Sequence, residues 1–368
     1  MLKYVFSQTL NGWNSKVLAL AIALTGCVQT NQTTVSPTED GTSGEKPSVV
    51  VSHRVLCDLT AEIAQDTIQV NCLLDPNQDP HTYRSTPSDR KAVETAQLIL
   101  YGGYDGEPGV EGLIEASNTS APIVAVFEEA VPNPLTGEAH HHNHNGDHHD
   151  HGEKEQVEHS DHEENHGADK GENVPDPHVW HDVQNSMAIV DVIGNQLTKI
   201  NPDQADFYAE NVQQLTTQLD QLDTWVNAQV ATIPSGKRKI VTTHDALAYY
   251  VNAYGFEAAE SLQGLSTEET PSAARVKELV GTIEQAKVPT IFVETTTNST
   301  AIETVAREAN VKVSEQKLFV GSLGAANSDT ATYIGMITHN TCAIAEGLGG
   351  TCTPFKVMTG DNQPEEEG

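Results

Sequence analysis

Residues 202–232, PDQADFYAENVQQLTTQLDQLDTWVNAQVAT, decide the fold. Tyr208, Val212, Leu215, Leu219, Leu222, Val226 and Val230 recur at spacings of four, three, four, three, four and four, which places one apolar stripe along a single helix face. Pro202 suits a first helical turn, because its missing N–H would be unpaired there anyway, and Asn201 suits the cap before it. At ~1.5 Å per residue such a helix spans about 45 Å. A stripe of that length fits either a two-stranded coiled coil or a strut shared by two lobes. What flanks it favours the strut.

On both sides, short apolar runs alternate with helical patterns. Before the helix, strands are expected at 48–52, 67–74, 97–102 and 122–127, with helices at 57–66 and from Pro87 to Ala96, the latter with Ser88 as a candidate cap. After it, strands are expected at 239–243, 257–262, 290–294 and 311–314. Strand–helix alternation on each side argues for an α/β fold of two lobes with mostly parallel sheets, joined by one long helix. The expected division is a first lobe at 48–201, the helix at 202–232, a second lobe at 233–358 and an acidic tail at 359–368.

The chain has 368 residues, with 20 Lys and Arg against 52 Asp and Glu, a formal charge of −32. A surface of that sign repels phosphate backbones, so nucleic acid is not an expected partner. No apolar run approaches the ~18 residues of a membrane span. Much of the acidity lies in a stretch, 132–175, that breaks the α/β pattern and is expected to be a disordered loop. From His140 to His166 it holds ten His and eight Asp or Glu. Imidazoles and carboxylates at such density bind transition metals weakly in many equivalent arrangements, so His140, His141, His142, His144, His148, His149 and His151 are candidate auxiliary ligands.

At the other end, Lys3 and Lys16 precede the apolar run Val17–Leu24, too short to span a bilayer but laid out like the core of a secretory signal. The run closes on Leu24-Thr25-Gly26-Cys27, which resembles the lipobox of bacterial lipoproteins. That resemblance implies a signal peptide at 1–26, lipidation of Cys27 and a membrane anchor, with polar residues 27–47 as a flexible tether. An exported chain can keep disulfides. Cys57, Cys72, Cys342 and Cys352 allow three pairings, and the short separations favour 57 with 72 and 342 with 352. Zinc thiolates are the alternative, without a CxxC knuckle to support them.

Six His lie outside the insert, and three share a context. His81 sits in Asp79-Pro80-His81-Thr82-Tyr83, followed by Thr86-Pro87-Ser88-Asp89. His178 sits in Asp176-Pro177-His178-Val179-Trp180, and His244 follows the expected strand at 239–243 directly. Ligands of open α/β sheets bind beyond the carboxyl ends of strands, so His81 and His244 are expected to face a shared cleft. His181 is read as exposed or supporting, and His53 and His339 as structural.

The two Asp-Pro-His motifs, together with Leu265-Ser266, Glu269-Thr270-Pro271-Ser272 and Glu346-Gly347-Leu348, resemble the metal-binding lipoproteins of zinc and manganese ABC importers, the cluster A-I solute-binding proteins. The resemblance covers about residues 48 to 355. It implies two α/β lobes on one long helix, a metal site at His81, His178 and His244, and delivery of the ion to an ABC permease by a monomeric, membrane-anchored receptor in the periplasm or on the outer face of the cytoplasmic membrane. Many members supply a fourth ligand from an Asp in a segment where this chain has Leu318-Phe319-Val320-Gly321-Ser322-Leu323, so Gly321 stands in its place. Three imidazoles suit Zn²⁺, whereas Mn²⁺ prefers carboxylate oxygen. Zn²⁺ is therefore the expected cargo, Mn²⁺ the alternative, and Glu294 or Asp329 a possible source of oxygen. A zinc hydrolase is the rival of another class, since three His with an open position is also a catalytic arrangement, but no HExxH pairing is present. A surface adhesin is a third reading.

Overall fold

The computed structural model describes residues 46–139 and 172–358. The expected signal, Cys27 and the candidate ligands from His140 to His151 lie outside them, as does the tail from residue 359. Among the described residues no helix is long and apolar enough to cross a membrane.

The first lobe is built on a parallel four-stranded sheet in the order β2-β1-β3-β4, from β1 (Ser48–Val51), β2 (Gln69–Cys72), β3 (Leu98–Tyr101) and β4 (Ile123–Ala125). Val49, Val50, Val51, Leu98, Ile99 and Leu100 are buried on both faces, which is why these strands read as unbroken apolar runs. Helices α1 (Arg54–Ala64), α2 (Pro87–Thr95), α3 (Pro108–Glu115) and α4 (Val126–Ala130) connect and cover them. Three local expectations change. The apolar run at 122–127 leaves the sheet after Ala125 and turns into α4. The cap of α2 is Thr86, not Ser88: its hydroxyl accepts from Asp89 N–H while the Asp89 carboxylate takes the Thr86 N–H, with Pro87 in the first turn. α1 begins at Arg54, three residues before the expected start, because the His53 ring caps it by accepting from Val55 N–H at 3.2 Å.

The 132–175 stretch is ordered at both ends. β5 (Thr136–Ala139) and β6 (Glu172–Pro175) pair antiparallel, and Asp176 N–H donates to Leu135 O at 2.8 Å to continue the ladder inward. Strands thus stand at both ends of the stretch expected to be a loop, and residues 140–171 between them lie outside the described residues.

α5 (Val183–Ile200) leads through a 3₁₀ turn at Pro202–Gln204 into α6 (Ala205–Ala231), the expected long helix. Asn201 caps nothing with its side chain; its amide instead donates to Tyr208 Oη at 3.1 Å. Tyr208, Leu215, Leu219, Leu222, Val226 and Val230 are buried as the stripe requires. Val212 is half-buried and packs on Gly194 of α5, where a Cβ would stand 2.5 Å from Val212 Cγ2. That glycine lets the two helices close on each other. On the first-lobe side the Asn211 amide donates to Ile63 O in α1 at 2.8 Å.

The second lobe pairs β7 (Lys239–Thr242) with β8 (Ala258–Ser261), and β9 (Thr290–Ile291) with β10 (Lys312–Val313), all parallel. Phe292 N–H bonds Val241 O at 2.9 Å and links the pairs. Helices α7 (Ala248–Tyr254), α8 (Ala273–Ala286), α9 (Thr300–Glu308) and α10 (Tyr333–Gly347) complete it. A continuous core includes Leu219 and Leu222 of α6, Leu56 and Leu59 of α1, and Ile337 and Ile344 of α10, so one helix buries its stripe against both lobes. Each fully buried Leu of that stripe contributes about 1.5–3 kcal/mol relative to exposure. Cys57 is bonded to Cys72 and Cys342 to Cys352.

Candidate metal centre

Each of the three motif histidines sits on a loop that leaves a strand. His81 lies between β2 and α2, His178 just beyond β6, and His244 just beyond β7. The Asp of each Asp-Pro-His motif does the same work on the backbone: Asp79 Oδ1 accepts His81 N–H at 3.0 Å, and Asp176 Oδ1 accepts His178 N–H at 2.9 Å. Each is an Asx turn, stiffened by the proline's fixed φ. The second lobe reaches the same result with a side chain from a neighbouring strand end, where Glu294 Oε1 accepts both Thr243 and His244 N–H at 3.0 Å.

These loops bring the three rings together. His81 Nε2 and His178 Nε2 are 3.2 Å apart, and ring centroids stand 5.3 to 5.7 Å from one another. One ligand atom from each residue falls within 4.8 Å of the others. Two nitrogens at ~2.05 Å from a tetrahedral Zn²⁺ would be about 3.3 Å apart. All three rings are buried, His81 the least at 6% exposed.

Carboxylates fix two of the tautomers. His178 Nδ1–H donates to Asp176 Oδ1 at 2.8 Å, and His244 Nδ1–H donates to Glu294 Oε2. In a neutral ring so held, the proton is on Nδ1 and the Nε2 lone pair is left for a cation. His244 Nε2 is buried with no protein partner. Burial, then the neighbouring rings, push His81 and His178 well below the usual histidine range. Burial acts on His244 too, but the Glu294 charge and hydrogen bond outweigh it and the net shift is upward. Burial raises Asp176 to about 7 against the pull of its bond from His178.

Among the described residues, no carboxylate joins the group. Glu294 has both oxygens engaged with His244 and its backbone, and Asp329 is exposed outside the group, so neither takes the place considered for it. Gly321 does face the rim: a Cβ there would stand 3.2 Å from Pro80 Cδ and 3.7 Å from Thr296 Oγ1. His181 is fully buried rather than exposed, with Nε2 donating to Val320 O at 3.0 Å. His339 donates to Lys317 O at 2.9 Å, away from the site. Three supporting residues gave no signal in the sequence. Thr267 Oγ1 donates to Asp79 Oδ2 from the opposite lobe. Tyr249 Oη donates to Asp176 O at 3.2 Å and accepts Leu135 N–H at 2.9 Å, tying the β5–β6 ribbon to the His178 turn. The third, Glu107, lies behind His81.

Two α/β lobes on a shared helix, with three inward imidazoles at their junction, define a cleft-type binding protein. The chain belongs to the family described as zinc-uptake complex component A, periplasmic, whose family model matches residues 49–347. It is 30% identical to the manganese ABC transporter substrate-binding lipoprotein PsaA of Streptococcus anginosus, over 89% of this chain and 95% of that protein. It is 31% identical to the zinc-binding protein TroA of Treponema pallidum, over 84% and 91% respectively. The solved structure of the periplasmic zinc-binding protein TroA from Treponema pallidum superposes with a TM-score of 0.69 at 29% identity, covering 82% of this chain and 99% of that one.

Proposed function

We propose that this chain is the extracytoplasmic receptor of a metal-ion ABC importer, which captures Zn²⁺ at His81, His178 and His244 and hands it to the permease. One observation carries the reading: three buried imidazoles from separate loops present ligand atoms within 4.8 Å, two of them with carboxylates holding the proton on the far nitrogen. Family membership supports the importer assignment. Relatives are named for either metal, so the choice of Zn²⁺ rests on donor chemistry. Three imidazole nitrogens, with no carboxylate among the described residues joining the group, suit tetrahedral Zn²⁺ with water as fourth ligand, whereas Mn²⁺ favours oxygen.

The rings are too deeply buried for an ion to enter the closed form. Capture therefore needs the lobes to part, and the shared helix limits that to a small rocking motion. The Asp79–Thr267 hydrogen bond crosses the junction and would break as it opens. His81 and His178 belong to the first lobe, so the ion meets those two nitrogens first, and closing of the cleft brings His244, oriented by Glu294, onto it. The expected placement is a monomer anchored through a lipid on Cys27, with the His-rich insert gathering ions nearby. A hydrolase would need a free general base beside the open position, and Glu294, the carboxylate at His244, is fully engaged.

The test is competition of Zn²⁺ and Mn²⁺ against a chromogenic chelator, on the chain and on His81→Ala, His178→Ala and His244→Ala. One tight Zn²⁺ site is expected, weakened by about 100-fold or more in each variant. Deleting residues 140–171 should remove weak sites and leave the tight one. Loss of the tight site with the insert would move the receptor function there, and Zn²⁺-dependent ester hydrolysis abolished by His244→Ala would favour the hydrolase.

A further inference from the structure

Behind His81 lies a small chamber lined by His53, Pro80, His81, Glu107, Phe127 and Trp180, among others. It has ≈ 10 Å³ of room for the centre of a water-sized sphere, about what a single water occupies. Three of its lining side chains carry buried polar atoms without a protein partner: Glu107 Oε1, His53 Nε2 and Trp180 Nε1. Their roles follow from the bonds they do make. Glu107 is 2% exposed, and its other oxygen accepts Ser52 Oγ–H and Gly102 N–H, each at 2.7 Å. His53 Nδ1 accepts Val55 N–H, so the proton of the neutral ring is on Nε2. Burial holds that ring neutral, with a pKa lowered to about 3. The Gly321 carbonyl lies near His53, without forming a bond of acceptable geometry to Nε2. Trp180 Nε1 can only donate. The residues that line this one-water space thus carry two N–H donors and one carboxylate oxygen that have no partner among the described residues.

The surrounding backbone is held in an unusual form. Gly103, Tyr104 and Asp105 are consecutively left-handed, at φ 94°, 57° and 54°. Two non-glycine residues in that region cost of order 1–2 kcal/mol each and persist only where surroundings over-determine them. Here the Glu128 carboxylate accepts Tyr104 N–H at 2.8 Å and Tyr104 Oη donates to Val131 O at 2.5 Å. The turn delivers Gly106 against Pro177 and Glu107 to the chamber.

We infer that the chamber binds one ordered water, donating to Glu107 Oε1 and accepting from His53 Nε2 and Trp180 Nε1, and that Glu107 acts through it as a positioning residue for the Pro80-His81 turn. All three orphan groups are then satisfied by one molecule, as buried polar groups in native proteins are. His178 and His244 have carboxylates on their rings. His81 has instead a filled and hydrogen-bonded floor, which stops its turn from sinking when no ion holds it. The positioning role rests on His81 being a ligand; the water itself does not.

The experiment begins with a high-resolution crystal structure of the metal-free mature chain. Density for one water within hydrogen-bond distance of the three atoms is expected, and an empty or collapsed chamber overturns the proposal. Glu107→Gln then places an amide donor where two donors already point, more than one water can accept. It should weaken Zn²⁺ binding about tenfold, mainly through faster dissociation. His53→Phe keeps a ring against Trp180, whose centroid is 4.3 Å away, but deletes the N–H, and should act in the same direction. In the mature chain with Trp225 changed to Phe, both variants should shift the metal-free emission of Trp180. Unchanged dissociation and unchanged emission in a folded variant would refute Glu107's role. Failure of the unsubstituted chain to bind Zn²⁺ would instead refute the metal site, leaving the crystal and emission results to decide the water.

Discussion

Replacing Glu294 by Gln separates orientation of a ligand from ligation itself. One oxygen of the Gln amide can still accept the Thr243 and His244 N–H bonds, so the loop after β7 should keep its shape. The other end becomes an NH₂ facing His244 Nδ1, where the carboxylate now accepts. Two donors cannot share that contact, so the neutral ring is pushed to the other tautomer, with its proton on Nε2, the atom aimed at the ion. Losing such an outer partner costs 10–100-fold in metal affinity, or about 1.4–2.7 kcal/mol. A second signature accompanies it. In the unsubstituted chain Glu294 raises the His244 pKa, so Zn²⁺ displaces a proton and affinity falls as pH drops through that value. In the variant burial lowers the pKa against only the weaker pull of Asp79 and Asp245, so the dependence around neutral pH should flatten while affinity at pH 7.5 is reduced. Chelator competition at several pH values, with thermal unfolding of the metal-free protein as a control, measures both. An unchanged affinity together with an unchanged pH slope would refute the assignment of Glu294 as the group that orients His244.

Gly321→Asp introduces a carboxylate at the rim, on backbone whose φ is not left-handed and with a Cβ only 3.2 Å from Pro80 Cδ. It should raise the Mn²⁺ to Zn²⁺ affinity ratio by about tenfold or more in the same competition assay. His53 is fully buried with a folded pKa of about 3, below its unfolded value, so the unfolded chain binds the extra proton and stability falls as pH drops below 6.5. His53→Phe should remove about 2–3 kcal/mol of the stability difference between pH 6.5 and 4.5, on top of a pH-independent loss of the α1 cap, as read by urea unfolding across that range. Leu219→Ala, in the fully buried stripe of α6, should cost about 2–5 kcal/mol and lower the melting temperature without changing Zn²⁺ affinity per folded molecule.

The spacing of Tyr208, Leu215, Leu219, Leu222, Val226 and Val230 by itself determined a long one-faced helix, because a 3.6-residue repeat has one geometric solution. The runs Val49–Val51 and Leu98–Leu100 determined buried parallel strands for a similar reason, and Asp-Pro-His determined two stiff turns from local bonds alone. Val212 of the stripe packs against the same core while only half-buried, and the strand expected through Phe127 ended early because the chain leaves the sheet there. Only the tertiary structure decided that Glu294 binds the His244 ring rather than joining the three imidazoles, that Thr267 and Tyr249 brace the motif turns, and that Glu107, His53 and Trp180 line one chamber. These contacts join residues 50 to 188 positions apart. Periodicity and turn chemistry act over a few residues, whereas which atoms meet across such distances depends on sheet order and on how closely the packed helices draw the lobes together.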